Sequence, residues 1–521
     1  MDATLVEGEL RSVNPATLEV VGAVAVTPLE AVSETVAEAR LAQQQWARTS
    51  FAERRRLLGA VAQVLLERMD EIAATVTAET AKPLVEAFLS DVMVAVDNTV
   101  WIADNVEQTL RPERLRYPQL YLKHKRGRIE HVPLGAVAVI APWNFPFAIP
   151  YTETAMAVAA GNAVLVKPSE LTPLSGAWVE RVFEEAGAPK GLVRVVQGDG
   201  EVGAALVRAR GVAKVFFTGS VEVGRSVAAV AAERLCPVTL ELGGKDPMLV
   251  FADAALERAL DGAAWGSFFN CGQVCSGVER IFVEEPLYDR FVAGLAERAQ
   301  ALRIGRGDDF GSDLGPLISE EQRAKVEALV ETARERVVTG GRRPETGLPG
   351  WFYEPTVIAG SSDELRGEEI FGPVVTVEPF GSEEEAVRLA NDTRYGLGAS
   401  IWTRDLDRAR RVAGRLEAGS VWTNDVAYSY AAGQSPWGGF KDSGLGRTHS
   451  KHGFYACTQV RFVEEDSGRL GVPWWFPYDE LAVDGFKGVL GTLYGQGLGA
   501  RAGAAWRHRR GLAQLGRRYL R

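Results

Sequence analysis

Cysteine is scarce in this chain: four in 521 residues, Cys236, Cys271, Cys275 and Cys457. That excludes a disulfide-built scaffold and points to a reducing, cytoplasmic compartment, where a thiol is either packed or reactive. Histidine is nearly as rare, with five. None adjoins a cysteine, and the HxxH pair His449 and His452 has no acidic or thiol neighbour, so both read as surface residues. A zinc site through Cys271 and Cys275 would need a second ligand pair that the sequence does not offer. Long apolar runs are missing too, so no segment is expected to span a bilayer. The N-terminal stretch carries acids and no apolar segment of leader length. An excess of positive charge is also absent. The formal net charge is -10, which argues against nucleic-acid binding.

What is present is ordinary for a globular protein, with 46% hydrophobic and 24% charged residues in a chain long enough for two or three domains. Charge is uneven. Arg501, Arg507, Arg509, Arg510, Arg517, Arg518 and Arg521 fall in the last 21 residues, which hold no acid.

The first third reads as helical. PLEAVSETVAEARLAQQQW (28–46) and FAERRRLLGAVAQVLLERMDEIAATVTAET (51–80) place apolar residues three and four apart, and Pro83 interrupts the pattern. The basic, alternating YLKHKRGRIEHVPLG (121–135) suggests an exposed strand pair. From 135 onward, short apolar runs alternate with helical segments. GAVAVIAP, NAVLVKPS, VRVVQG, KVFFTGS and PVTLELGG form one series, and DPMLVF, ERIFVEE, VVTVEPF, GASIWT and GSVWTN a second. Continuous apolar strands separated by helices predict parallel sheets covered on both faces, with ligands at the carboxyl ends of the strands.

Several strand ends carry polar groups. Lys167 and Glu170 in KPSE could grip the hydroxyls of a ribose. Gly219, Ser220 and Gly224 in FTGSVEVG open a helix whose N-terminus could hold a pyrophosphate, although an ordinary strand–helix turn reads the same way. Glu241 in TLELGGK sits in an apolar strand, as a general base of raised pKa or as the partner of Lys245 in an ion pair. Cys271 and Cys275 in FNCGQVC read from spacing alone as two packed cysteines.

Taken together, FNCGQVC, LELGGK with Glu241 34 positions before Cys275, PWNFP (142–146), KPSE (167–170), FTGS (217–220), EIFGP (369–373), NDTRYGL (391–397) and PWGGFKDSGLGR (436–447) resemble the aldehyde dehydrogenase superfamily over roughly residues 10–465. The resemblance implies an α/β fold: a Rossmann-type cofactor domain (1–116 and 135–244), an α/β catalytic domain (245–448), a small β oligomerisation arm (117–134 and 449–465) and a C-terminal extension (466–521). It implies Cys275 as nucleophile, Asn144 as half of an oxyanion hole, Glu241 as the base for thioester hydrolysis, and Lys167 among the catalytic and cofactor residues. Lys167 and Glu170 would meet the adenosine ribose of the cofactor and Glu369 the nicotinamide ribose. Phe371 would lie along the nicotinamide, Trp143 near the adenosine half, and Ser220 with Gly219 and Gly224 at the pyrophosphate. Glu170 favours NAD over NADP, because it would repel a 2′-phosphate. A homodimer or homotetramer is implied.

The family's usual acid after the late GR is Thr448 here. The segment 424–437 should line the substrate entrance. It offers Tyr428 and Tyr430 and no Lys or Arg, and Phe145 adds an apolar wall, so uncharged aliphatic or aromatic aldehydes are expected. A CoA-acylating enzyme and a non-catalytic binding protein are the rival readings. Intact Cys275, Asn144, Glu241 and Glu369 argue against the second, and Glu241 against the first. In the tail, Trp474, Trp475, Phe476 and Tyr478 form an aromatic knot expected to dock on the body or on a partner subunit. Glycines weaken any long helix there. An intersubunit arm is the preferred reading, with weak membrane-surface association of the basic end or a solvated tail as alternatives.

Overall fold

The computed structural model describes residues 4–6 and 8–520; Arg521, the last of the tail arginines, lies outside them. Two compact units emerge: residues up to 110 with 133–459, and 111–132 with 460 onward.

In the first unit, the chain begins with an antiparallel sheet of Thr4–Val6, Glu9–Val13 and Val20–Ala25. The sequence reading gave no strands here, because these are short and only half covered. The helices follow as the periodicity predicts, over Val32–Trp46 and Phe51–Thr80. Ser50 and Glu53 close the second in a reciprocal capping box, and Ala81 stops it in the left-handed region just before Pro83. One wider π turn, Phe88–Met93, then leads into the helix Val94–Leu110.

The first large sheet runs in the order Gly444–Leu445, Val238–Glu241, Val212–Thr218, Ala136–Ile140, Ala163–Lys167, Val193–Val195. All but the Gly444–Leu445 edge are parallel. The chain builds outward from Ala136–Ile140 on one side, then returns to lay Val212–Thr218 on the other. That reversal opens a crevice at the carboxyl ends. The second sheet centres on Asp246–Val250 and Val278–Glu284, flanked by Val374–Phe380 and Gly398–Trp402. Met248 and Val250 face one buried core and Leu249 another, which is why this strand reads as one unbroken apolar run.

In the second unit, Glu113–Leu115, Arg126–Pro133 and Thr458–Glu465 form a three-stranded sheet. The strand pair expected over 121–135 is thus a single strand; Leu120–Leu122 is a 3-10 turn and the pairing partners come from elsewhere. The tail folds as three helices, Glu480–Tyr494, Gly497–Arg507 and Arg509–Tyr519. Its glycines do more than weaken a helix. A Cβ at Gly511 would stand 2.1 Å from the Gly485 nitrogen, so these two helices cross at backbone contact only because both residues are glycine. Within this unit the aromatic knot is only partly packed. Trp474 packs edge-on against Tyr121, with ring centroids 5.8 Å apart, but Trp475, Phe476 and Tyr478 are exposed. Among the described residues no helix is long and apolar enough to cross a membrane.

Candidate active site

Phe268–Arg280, which carries Cys271 and Cys275, is not a continuous helix. Helix Leu256–Phe268 ends, and Asn270, Cys271 and Gly272 follow in the left-handed region, at φ of 51, 54 and 66°. Successive left-handed residues are costly and persist only where the surroundings impose them. A Cβ at Gly272 would lie 2.0 Å from the Gly372 carbonyl oxygen, and one at Gly244 would lie 2.0 Å from that of Cys275. Both glycines let backbone approach backbone here. The two cysteines therefore part company. Cys271 is buried in the core of the second sheet; Cys275 is mostly buried but reaches a cavity.

A set of polar side chains fixes the turn. Gln273 donates from Nε2 to the Asn270 carbonyl and accepts from the Ile318 N–H. Asn270 Nδ2 donates to the carbonyls of Asn144 and Gln273, at 3.1 Å each. Buried Lys82 donates to the same Asn144 carbonyl at 2.7 Å and pairs with Asp91 at 3.2 Å. Asp91, on the π turn, accepts from the N–H groups of Phe147 and Ala148. Asn144 itself is buried; its Nδ2 donates to the Gln273 carbonyl and its Oδ1 has no partner. The loop 142–148 and the turn before Cys275 are thus tied into one frame. Sequence reasoning missed Lys82, Asp91, Asn270 and Gln273. The available signal was a lysine at the Pro83 helix break and an aspartate among apolar helical residues.

Cys275, Glu241, Phe145, Tyr428 and Tyr430 line one cavity of about 220 Å³, with Ile149, Thr218, Trp265, Phe269 and Trp437 among its other walls. Phe145 stacks on Phe269, which Trp265 meets at 4.7 Å between centroids. Tyr428 is exposed at the rim. Burial pushes the Cys275 thiol well up, and the charges of Asp246, Glu369 and Glu241 push the same way, so the resting group is a neutral thiol. Glu241 is 4% exposed, and neither carboxyl oxygen has a hydrogen-bond partner. Desolvation, then the charge of Glu153, holds its pKa well above the carboxylate range. The ion pair with Lys245 does not form, because Lys245 binds Glu279 at 2.5 Å on the neighbouring sheet. Glu279 also accepts from the N–H groups of Ile370 and Phe371, which shapes the EIFGP loop.

Other singled-out residues stand off this cavity, at the strand ends. Lys167 pairs with Glu170 at 3.0 Å. Ser220 caps helix Val221–Ala232 by accepting from Val223 N–H, and the Gly219 N–H donates to the Glu241 carbonyl. Gly224 leaves room for Leu242, whose Cδ2 would stand 2.5 Å from an added Cβ. Glu369 accepts from the Gly244 N–H at 2.9 Å, and burial raises its pKa to about 7. Trp143 and Phe371 meet edge to face, 5.4 Å between centroids. His449 is a correction. It is buried rather than on the surface, bonded to Thr448 Oγ1 and Asn98 and packed on Tyr430, and burial lowers its pKa to about 4. His452 is exposed.

A parallel sheet with a crevice at its switch point, beside a thiol and an unpaired buried carboxyl on one apolar cavity, defines a class: α/β proteins of nucleotide-binding type that set a cysteine and an acid on one pocket. The chain belongs to the aldehyde dehydrogenase family, whose sequence model matches residues 4–463. It is 40% identical over 471 residues to a betaine aldehyde dehydrogenase of Sinorhizobium fredii, covering 89% of this chain and 95% of that one. It is 38% identical over 480 residues to the Bacillus subtilis betaine aldehyde dehydrogenase, covering 90% and 96%. Among solved structures, the betaine aldehyde dehydrogenase of Staphylococcus aureus in complex with NAD+ superposes with TM-score 0.85 at 34% identity, covering 90% of this chain and 94% of that one. The NAD+ complex of an aldehyde dehydrogenase from Bacillus cereus gives 0.84 at 35%, covering 88% and 93%.

Proposed function

We propose that the protein oxidises an aldehyde to a carboxylic acid with NAD, through a thioester on Cys275 that Glu241 helps to hydrolyse. One observation carries this reading: Cys275 and an unpartnered, buried Glu241 line the same cavity. A carboxyl with a raised pKa can take a proton near neutrality, from the thiol before attack or from water afterwards. The Cys275 sulfur attacks the aldehyde carbon to give a thiohemiacetal. Asn144 Nδ2, released from the Gln273 carbonyl, donates to the oxyanion with the Cys275 N–H. NAD, when bound, takes up the hydride. Glu241 then deprotonates the water that releases the acid.

The crevice residues suit such a cofactor. Lys167 and Glu170 at one strand end fit a ribose, and the capped helix N-terminus at Ser220 fits a pyrophosphate. Glu369, held by Gly244, fits the second ribose. Phe371 fits the nicotinamide side, and Trp143, which meets it edge to face, the adenosine half. Glu170 disfavours NADP, which remains the alternative cofactor. The sheet of 113–115, 126–133 and 458–465 is the proposed oligomerisation arm of a homodimer or homotetramer.

For the substrate, the aromatic and apolar lining favours uncharged aliphatic or aromatic aldehydes. Six aromatic rings around the cavity also support a second reading, a quaternary-ammonium aldehyde held by cation–π attraction; betaine aldehyde is the substrate named for two relatives. The test is a panel of aldehydes, betaine aldehyde included, with NAD and with NADP. Reduction of neither cofactor by any aldehyde overturns the enzyme reading. Acid formation without CoA, in preference to acyl-CoA, separates hydrolysis from acyl transfer.

A further inference from the structure

One buried acid has no task in the chemistry above. Glu153 lies on helix Ala148–Ala159, one turn beyond Ile149 on the same face, and Ile149 lines the Cys275 cavity. Glu153 is 5% exposed and its Oε2 has no hydrogen-bond partner. Thr218 ends the strand beside Glu241, in direct register with it, and lines the same cavity; its hydroxyl acts on the Glu153 carboxyl but forms no hydrogen bond in the resting structure. Unpartnered buried polar atoms are rare and call for a reason. Here Glu241, Thr218 and Glu153 hold four of them in one place. Behind Glu153 a small cavity is bounded by Thr152, Thr448, His449 and Cys457.

We propose that Glu153 is a relay carboxyl for Glu241, receiving through the Thr218 hydroxyl the proton that Glu241 takes from water. This rests on the reading of Glu241 as the base of thioester hydrolysis. Water adds to the thioester carbonyl as Glu241 accepts its proton. The Glu241 carboxyl passes that proton to Thr218 Oγ1 while the Thr218 hydroxyl proton moves to the Glu153 carboxylate. The carbonyl re-forms as the Cys275 thiolate leaves, and Glu241 is again ionised. Glu153 returns the proton to solvent when the acid departs. Glu153 acts through Glu241 and is a positioning residue, not one that touches substrate.

The charged surroundings fit a group that changes protonation during turnover. Desolvation raises the Glu153 pKa to about 8, opposed by Lys214 and the Thr218 hydroxyl. The other titratable groups facing it are Glu241, Tyr430 and Cys457; neutral His449 bounds the small cavity. When ionised, Glu153 raises the proton affinity of Glu241 and so strengthens it as an acceptor of the proton of water.

The test compares wild type, Glu153→Gln and Glu153→Asp in the full chain with NAD, reading the first-turnover NADH burst and the pH profile of kcat. Expected for Glu153→Gln is an unchanged burst, a kcat lower by about tenfold, and an ascending limb moved to lower pH because the charge beside Glu241 is gone. Glu153→Asp should recover part of kcat. An unchanged kcat and limb, or burst and kcat falling together with the limb in place, overturns the relay. Should Glu153→Gln fail to fold, Thr218→Val must lower kcat with the burst kept, and an unchanged kcat is then the overturning result. Glu241→Gln is run beside them. If it turns over like wild type, the base reading itself is wrong; if its acyl-enzyme accumulates, the relay stands or falls on Glu153 alone.

Discussion

Two polar regions adjoin Cys275, and they are built on opposite rules. On one side, Lys82, Asp91, Asn270 and Gln273 spend their side chains on hydrogen bonds to backbone or on an ion pair. On the other, Glu241, Glu153, Thr218 and Tyr430 keep buried oxygens without partners. Satisfied groups hold a shape, and here they hold a left-handed turn that would not persist alone. Unsatisfied groups hold a chemical potential, because a buried carboxyl without donors is kept near neutrality and ready to move a proton. Removing a residue from the first region should cost stability; removing one from the second should cost rate.

The largest effect is expected at the proposed nucleophile. Cys275→Ser should lower aldehyde oxidation by about a thousandfold or more, with the thermal midpoint almost unchanged; a drop in midpoint alone would erase the contrast. Next comes Glu241→Gln, which should slow steady turnover by about a hundredfold or more while mass spectrometry detects the acylated protein. Asn144→Ala crosses the boundary, since the residue belongs to the frame and, as proposed, to the chemistry. It should lower kcat by about a hundredfold, and a purely structural role would show as lost stability with kcat intact.

In the first region, Lys82→Met leaves Asp91 buried and unpaired, at a cost of about 3–5 kcal/mol in urea unfolding. A smaller, pH-dependent effect concerns Glu86, which accepts from the Asn270 N–H and whose pKa burial raises to about 7 from 4.5. A raised folded-state pKa gives stability that is full below the unfolded value and is lost as pH rises through the folded one. Between pH 4.5 and 7, wild type should therefore lose ground to Glu86→Gln in paired melts. Parallel melting curves across that window would remove Glu86 from the frame's pH response.

Much of the architecture was legible because its signals are local. The helix over 51–80 appears at the predicted residues since its apolar spacing, capping box and Pro83 lie within the segment. The parallel strands were readable because both their faces are buried. The N-terminal strands and the single strand at 126–133 were not, since short, half-covered strands are defined by partners distant in sequence. His449 looked like a surface residue for the same reason: its burial comes from Asn98 and Tyr430, far along the chain or on another turn. The tail glycines at 485 and 511 read as helix weakeners until the helices crossed at them.

By itself, the sequence determined the family, the two apolar strand series and the residue types the chemistry requires, because motif order and periodicity are written along the chain. Only the tertiary structure decided which cysteine meets the cavity, that Lys245 serves Glu279 rather than Glu241, and that Glu153 keeps a buried oxygen without a hydrogen bond. Those are matters of which groups are denied water and which are given partners, and both depend on neighbours that no local stretch of sequence contains.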